Sequence, residues 1–485
     1  MIEIRKGIDF NKRSKTDHDC DAAVYYNATD KHGRTIDEGK GNSLLMPFLG
    51  ALYHLFTGGE GYRHSFFMEE GSSSYYTDIV NLDLNATPVT VEFASAPNSS
   101  FHSSSWGRPI YFPPIPGTNI HGLYHAQRLS FYVVELHEYT DGYVYGVNGY
   151  RRMGAEWILE HGTPLVGSGT VPSSFPENYA AVYLRYVNSS TLAFDSVMDL
   201  RSLRLEAGFG DEPNIFYQAT LNQPSHEQLT TTNTVRNLPV IGDNMSTLTY
   251  TRDFTNETGA TAGIKEVGMF GGVNANAGGA PGLMVTRDVV TIDIPNGQTA
   301  SLNYRLRIEN NADGGLLWQF MELLTRRLNN TSRESRNIFN ENITEQNRTG
   351  LFRMTGPGVP AGDDGGAEAW LLGPQIGKSA DPVINTNVAL WEPYDPLDDE
   401  WEFYGTTASE FIEDKPNSAF YFDISRVFRN ASSQAQDVNE VGLYCAGRST
   451  YPGHIHCIAR HKLAAPTSVP AGELLRVTYR FKIVV

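Results

Sequence analysis

Cysteine is nearly missing: Cys20, Cys445 and Cys457 are the only three in 485 residues. A set so small and odd in number cannot build a disulfide framework, so the chain is expected to be made in a reducing cytosol and to stand on its own core. Long apolar runs are missing as well. None approaches the ~18 residues of a membrane span, and the opening MIEIRKGIDFNKRSKTDHDCD has basic residues but no apolar h-region. The expectation is a soluble product with no membrane insertion and no secretion leader. Positive charge is the third shortage. Lys and Arg number 38 against 55 Asp and Glu, a formal net charge of −17; such a surface repels phosphate backbones, so nucleic acid is not an expected partner. Sequons at Asn27, Asn85, Asn98, Asn188, Asn256, Asn342 and Asn430 then read as Asn/Ser/Thr-rich turns, not as glycan acceptors.

What the chain has in place of these is a repeat. TYTRDFTNETGATAGIKEVGMFGG from Thr249 to Gly272 matches FDISRVFRNASSQAQDVNEVGLYCAG from Phe422 to Gly447. Arg252 falls on Arg426, Phe254 on Phe428, Asn256 on Asn430, Glu266 on Glu440 and Gly268 on Gly442 without a gap. The match runs on through Arg287 and Arg460 to PNGQTASLNYRLRI and PAGELLRVTYRFKI, where Pro-x-Gly predicts a tight turn before a closing strand. Upstream, the Pro-led segments ending at Leu221 and Leu390 also match. Earlier still, NSLLMPFLGAL (Asn42 to Leu52) lies over GGLLWQFMELL (Gly314 to Leu324), with apolar residues at i, i+1, i+4, i+5 and i+8. That spacing is the stripe of an amphipathic helix, one capping each copy.

Short alternating strands separated by Asn/Gly/Ser turns complete the pattern. The predicted fold is mainly β: two tandem β-sandwich modules, each with a short amphipathic helix, plus an aromatic-rich insert. Residues 1–59 supply the first strand and helix of module one, 60–205 the insert and 206–309 the sandwich of module one. Residues 310–375 supply the helix and a polar insert of module two, and 376–485 its sandwich. The first insert holds 23 of the 55 Phe, Trp and Tyr residues; decoration on a repeated frame is where specific function concentrates.

The tandem Arg-x-Phe-x-Asn, the Glu-Val-Gly ten residues after that Asn, and the Pro-x-Gly turn into a terminal Tyr-x-apolar-x-Ile strand resemble a module of tailed-bacteriophage structural proteins. The resemblance is to tail, fibre and head-decoration components and covers 207–308 and 377–485, with the helical pieces in part. It implies a virion location after synthesis in the host cytoplasm, other virion proteins as partners and a homo-oligomeric assembly, and it offers no catalytic residues to carry over.

The remaining candidates are side chains with chemistry of their own. Arg252 with Glu266, and Arg426 with Glu440, read as ion pairs or Arg-to-carbonyl clamps tying strands together. Trp106, Tyr143, Tyr145, Tyr150 and Trp157 can stack on a glycan or pack in a subunit interface. Carboxylates Glu69, Glu70, Asp78, Glu135, Glu138, Asp141 and Glu156 could include a glycosidase pair, which needs a spacing that sequence does not supply. Cys445, His454, His456 and Cys457 have zinc-ligand chemistry without a paired knuckle, and His121-x-x-x-His125 lies in a loop-like stretch without an adjoining Glu. No cofactor, metal or catalytic residue is expected. The chain reads as a virion structural subunit acting through subunit contacts; the alternatives are an adhesin that recognises host surface glycan through 60–205, or a capsule depolymerase.

Overall fold

The computed structural model describes residues 1–10, 20–41, 44–57, 66–68, 76–94, 108–112, 114–130, 132–138, 143–146, 149–152, 163–173, 175, 180–186, 204–214, 221–222, 229–237, 240–272, 282–309, 313–329, 333–336, 342–345, 354, 371–387, 389–395, 399–409, 412–446 and 455–485. The chain opens with β1 (Ile2–Phe10), β2 (Cys20–Asp30), β3 (Thr35–Gly41) and helix α1 (Met46–Thr57). The insert supplies β4 (Phe66–Met68), β5 (Tyr76–Asp83), β6 (Thr90–Phe93), β7 (Arg108–Phe112), β8 (Gly122–Arg128), β9 (Val133–Glu138), β10 (Tyr143–Gly146), β11 (Gly149–Arg152) and β12 (Ala180–Tyr186). The first frame continues with β13 (Arg204–Gly208), β14 (Leu229–Thr231), β15 (Val235–Arg236), β16 (Val240–Ile241), β17 (Met245–Asn256), β18 (Ala262–Gly272), β19 (Gly282–Ile294) and β20 (Thr299–Glu309). The second frame opens with β21 (Gly314–Leu316), α2 (Trp318–Asn329), β22 (Arg333–Arg336), β23 (Asn342–Glu345) and β24 (Gly373–Gly377). It ends with β25 (Trp401–Phe403), β26 (Thr407–Ala408), β27 (Ile412–Asp414), β28 (Ala419–Asn430), β29 (Gln436–Ala446), β30 (Ile455–Val469) and β31 (Leu474–Val484).

The fold is mainly β. Strands β17, β20 and β28 bury every second residue along most of their length, the period-two alternation of a sheet with one face on a core. The largest sheet runs β14-β17-β20-β2-β1-β31-β28-β25, with β15 and β16 also on β17, and β26 and β27 also on β28. Its two halves repeat at the level of register. Leu229 opposes Asn256, Val235 opposes Thr251 and Val240 opposes Thr247; Trp401 opposes Asn430, Thr407 opposes Ser425 and Ile412 opposes Tyr421. Adding 174 to 256, 251 and 247 gives 430, 425 and 421. The second layers also correspond: β13-β18-β19 in one half, β24-β29-β30-β21 in the other.

Strand directions define how the halves are related. β20 is antiparallel to β2, whereas β2, β1 and β31 are mutually parallel neighbours, so β20 and β31 run oppositely on either side of the seam. A local two-fold axis normal to the sheet thus relates β17-β20 to β28-β31, and the central β1–β2 pair, with β3 on β2, departs from it. The N-terminal strand, expected with module one, lies along β31 of the second frame from Ile2↔Leu475 to Phe10↔Ile483.

The helices differ from expectation in two ways. The apolar stripe begins before the helix: Leu44 bridges Thr286 and Leu45 donates to Val285, as Leu316 pairs with Ala459 and Leu317 donates to Ile458. Leucines at these positions feed the second-layer sheet, and the helix starts just after them. Nor does each helix cap its own module. α1 packs on β19 and also on β28 and β31, with Phe56 centred 4.9 Å from Phe481 and Tyr53 5.1 Å from Phe422. α2 packs on β30 and on β17. Because each helix reaches the other frame, one apolar cluster runs through both halves, from Ile4 and Phe56 to Phe254, Phe422 and Phe481.

The insert has its own core. β12 pairs with β5 on one side and β7 on the other, closing the antiparallel ring β12-β5-β6-β9-β8-β7. Ile79, Val91, Phe93, Ile110, Phe112, Val134 and Leu136 fill it as a cluster separate from that of the frames. β4 links β12 to β19 through the single pair Gly282↔Met68. The insert ends before its expected limit of 205, because β13 already begins at Arg204 and Leu205 is buried in the frame core.

Candidate functional site

Each frame carries a fully buried carboxylate–guanidinium pair at the same place. Arg287 Nε donates to Glu266 Oε2 over 2.7 Å, and Arg460 Nε to Glu440 Oε2 over 2.7 Å, with all four side chains 0% exposed. A buried pair of this kind depends on further hydrogen bonds to offset its desolvation, and both pairs have them, although among the described residues Arg287 Nη2 itself is left without one. Arg287 also donates to the Glu212 carbonyl and to Asn214 Oδ1, each at 2.8 Å, and the Asn222 amide donates to Glu266. In the second frame Arg460 donates to the carbonyls of Pro382 and Asp381 and to Asn387 Oδ1, while the Glu392 amide donates to Glu440. The Pro-led segments therefore supply the carbonyls. Their last leucines cover the glycine of Glu-Val-Gly: a Cβ on Gly268 would stand 3.0 Å from Leu221 Cδ2, and one on Gly442 2.9 Å from Leu390 Cδ2.

The partner of each buried glutamate is thus the later arginine. Arg252 and Arg426, on β17 and β28 of the large sheet, do not reach Glu266 and Glu440 on the second layer. They clamp carbonyls instead: Arg252 those of Thr232 and Leu205, Arg426 those of Tyr404 and Leu372. Arg252 additionally pairs with Glu206 at 2.8 Å. Each guanidinium sits 5.7 Å from the ring centre of the phenylalanine two residues on, Phe254 or Phe428, both buried.

Asn256 and Asn430, 0% exposed, staple the next turn. Asn256 Nδ2 donates to Ala260 and Ile294 at 2.6 Å each, and Asn430 Nδ2 to Gln434 and Val469 at 2.7 and 2.8 Å. Their Oδ1 atoms accept from Thr258 and Ser432, so the sequon pattern here records an Asx turn. The Asn256 and Asn430 carbonyls accept from Gly297 and Gly472, each at 2.7 Å, with φ of 74° and 77°. These are the Pro-x-Gly turns, and each leads into its closing strand.

The frames diverge beside the clamp. Tyr304 donates to the buried carboxylate of Asp288, whereas the corresponding Tyr479 hydroxyl lies 3.2 Å from His461 Nδ1. Burial pushes His461 down to about 3, with Lys6 adding to the effect.

On the insert, Tyr143, Tyr145 and Tyr150 belong to the hairpin β10–β11, with Tyr145 opposite Tyr150; Trp106 and Trp157 lie outside the described residues, as do Glu69, Glu70, Asp141 and Glu156. His125 faces His137 across β8–β9 and both are buried, so this His-x-x-x-His begins in a loop and ends in a strand. His121 is near the first frame: burial pushes it down to about 4, with Glu212 opposing and Arg287 assisting. In the second frame Cys445 packs in the common core, while Cys457 joins Leu390 and Tyr444 in a different cluster. The two thiols do not converge, and His454 is outside the described residues.

Among the described residues no group of three or more His, Cys, Asp or Glu side chains is arranged to hold a metal, and no helix is long and apolar enough to cross a membrane. Compared with known protein families, curated proteins and solved structures, the chain gives no match.

Proposed function

We propose that the protein is a structural subunit of a tailed-phage virion, a stiff repeated frame that works through contacts with copies of itself and with other virion proteins. One observation carries the reading. The polar side chains that recur between the frames, Glu266 and Glu440, Arg287 and Arg460, Asn256 and Asn430, are buried and spent on internal hydrogen bonds. Residues repeated in this way serve architecture, and the repeat motif they form is the one that resembles phage structural modules. Purified particles split into heads and tails and measured by quantitative mass spectrometry should contain the chain at a fixed copy number in one fraction; its absence from washed particles would overturn the reading.

A second reading, an adhesin for host surface glycan, is favoured by the separate core of the inserted barrel. A domain that closes on itself can be presented without disturbing its carrier. Binding of the purified chain to cell-surface polysaccharide without shortening it supports this reading, and chain shortening would instead indicate a depolymerase.

A further inference from the structure

The wall of the inserted barrel sets two imidazoles side by side. β8 and β9 pair His125 with His137, and both are buried, 7% and 4% exposed. Strand alternation explains their placement: Tyr124, Ala126, Val134 and Leu136 fill the barrel interior, so the histidines between them stand on its outer face, and Glu135, two residues before His137, shares that side. Directly opposed side chains of an antiparallel ladder have Cβ atoms about 4.5–5.5 Å apart. Two ring nitrogens can close that span on a single ion.

His137 is oriented for such a task. Its Nε2 lies 3.2 Å from Glu135 Oε1, and an ionised carboxylate, which can only accept, fixes the imidazole proton on Nε2. Nδ1 is then a lone pair. It is buried and makes no hydrogen bond among the described residues, and Pro164, which bridges to His137 on its other flank, has no N–H to offer. A buried acceptor without a donor is costly, whereas a carboxylate on one imidazole nitrogen with a metal on the other is the usual support of a histidine ligand. With Glu135 committed to Nε2, the side chains supply two nitrogens and water completes the coordination.

We propose that His125 and His137 bind one divalent transition-metal ion that favours imidazole, such as Zn²⁺, with Glu135 as the positioning residue, and that the ion ties β8 to β9 on the barrel wall. The proposal rests on the insert alone and stands or falls apart from the virion reading. The test titrates the full-length chain, stripped of metal by a chelator, with Zn²⁺ in a calorimeter and then records X-ray absorption on the complex. One saturable site per chain is expected, with two imidazole nitrogens at about 2.0–2.1 Å and no sulfur. His125→Gln and His137→Gln should each abolish that site, and Glu135→Gln should weaken it by about 10–100-fold. His32→Gln, at an exposed turn, should leave it unchanged. Absence of saturable binding, or a site that persists in His137→Gln, overturns the proposal. Should a histidine variant lose its fold by circular dichroism, the absorption spectrum of the unaltered chain decides instead: fewer than two imidazoles, or a sulfur ligand, overturns it as well.

Discussion

The two frames repeat the same buried clamp and differ in the pair beside it. Position for position, Glu266–Arg287 repeats as Glu440–Arg460 and Asn256 repeats as Asn430, yet the tyrosine of the closing strand meets Asp288 in one frame and His461 in the other. The groups held in common define the geometry: the ion pair fixes the Pro-led segment against the second layer, and the asparagine closes the turn. The group that differs is free to vary because the tyrosine hydroxyl can donate to a carboxylate or exchange hydrogen bonds with an imidazole.

The largest effect that would sharpen this comparison is loss of a buried arginine. Arg287→Ala and Arg460→Ala each strand a fully buried carboxylate, and each should destabilise by about 3–5 kcal/mol in chemical denaturation. Since one core and two crossing helices join the frames, both variants should lower a single transition. Two separate transitions, with each variant moving one, would mean that the frames fold independently.

Acid should separate the frames next. The folded protein holds His461 at about 3, below the ordinary imidazole value near 6.5. Its folded pKa is depressed, so the stabilisation is present above about 6.5 and is lost as pH falls toward 3, by ~1.4 kcal/mol per pH unit. No histidine stands at position 288. His461→Gln should therefore flatten the fall in stability between pH 6.5 and 5, and an unchanged slope would show that His461 is solvated. Smaller still is Asn256→Ala or Asn430→Ala. Each removes two buried side-chain hydrogen bonds, although Thr258 and Ser432 still donate to the Ala260 and Gln434 carbonyls, so a loss of about 1–3 kcal/mol is expected, equal in the two frames; unequal losses would break the equivalence of the turns.

Much of this frame was legible in the sequence because the repeat exposes whatever the fold uses twice. Phe254 and Phe428, the Pro-x-Gly turns and the leucine-covered glycines all appear as matched positions. What could not be read was direction across space. Arg252 is closer in sequence to Glu266 than Arg287 is, but β17 and β18 belong to different layers and β18 and β19 to the same one. The crossing of α1 onto β28 and β31 leaves no local trace, since an apolar stripe states that a helix face is buried and not against what. The pairing of Ile2 with Leu475 joins opposite ends of the chain with no turn chemistry between them. The insert, with weak periodicity, gave no sign that β12 and β7 close a ring.

The smallest expected effect concerns the comparison between the frames and the insert. The ring around Val91, Phe112 and Leu136 shares no member with the frame core, and its sheet contact with the first frame is the three-residue β4, which meets β19 at one pair. Among the described residues His121 lies in the field of Arg287 and Glu212, and uncovering that corner would give water to Arg287 Nη2, which is buried without a hydrogen bond. Replacing 60–203 by a short Gly/Ser linker, which spares β13, should therefore shift frame stability by no more than ~1 kcal/mol, since sites without shared partners contribute nearly independently. The linker adds little, as loop closure depends only weakly on length. Circular dichroism melts of the full and shortened chains decide the matter. A shift as large as that of Arg460→Ala would make the insert part of the frame's own core, and the view of a repeated scaffold carrying a separable decoration would fall with it.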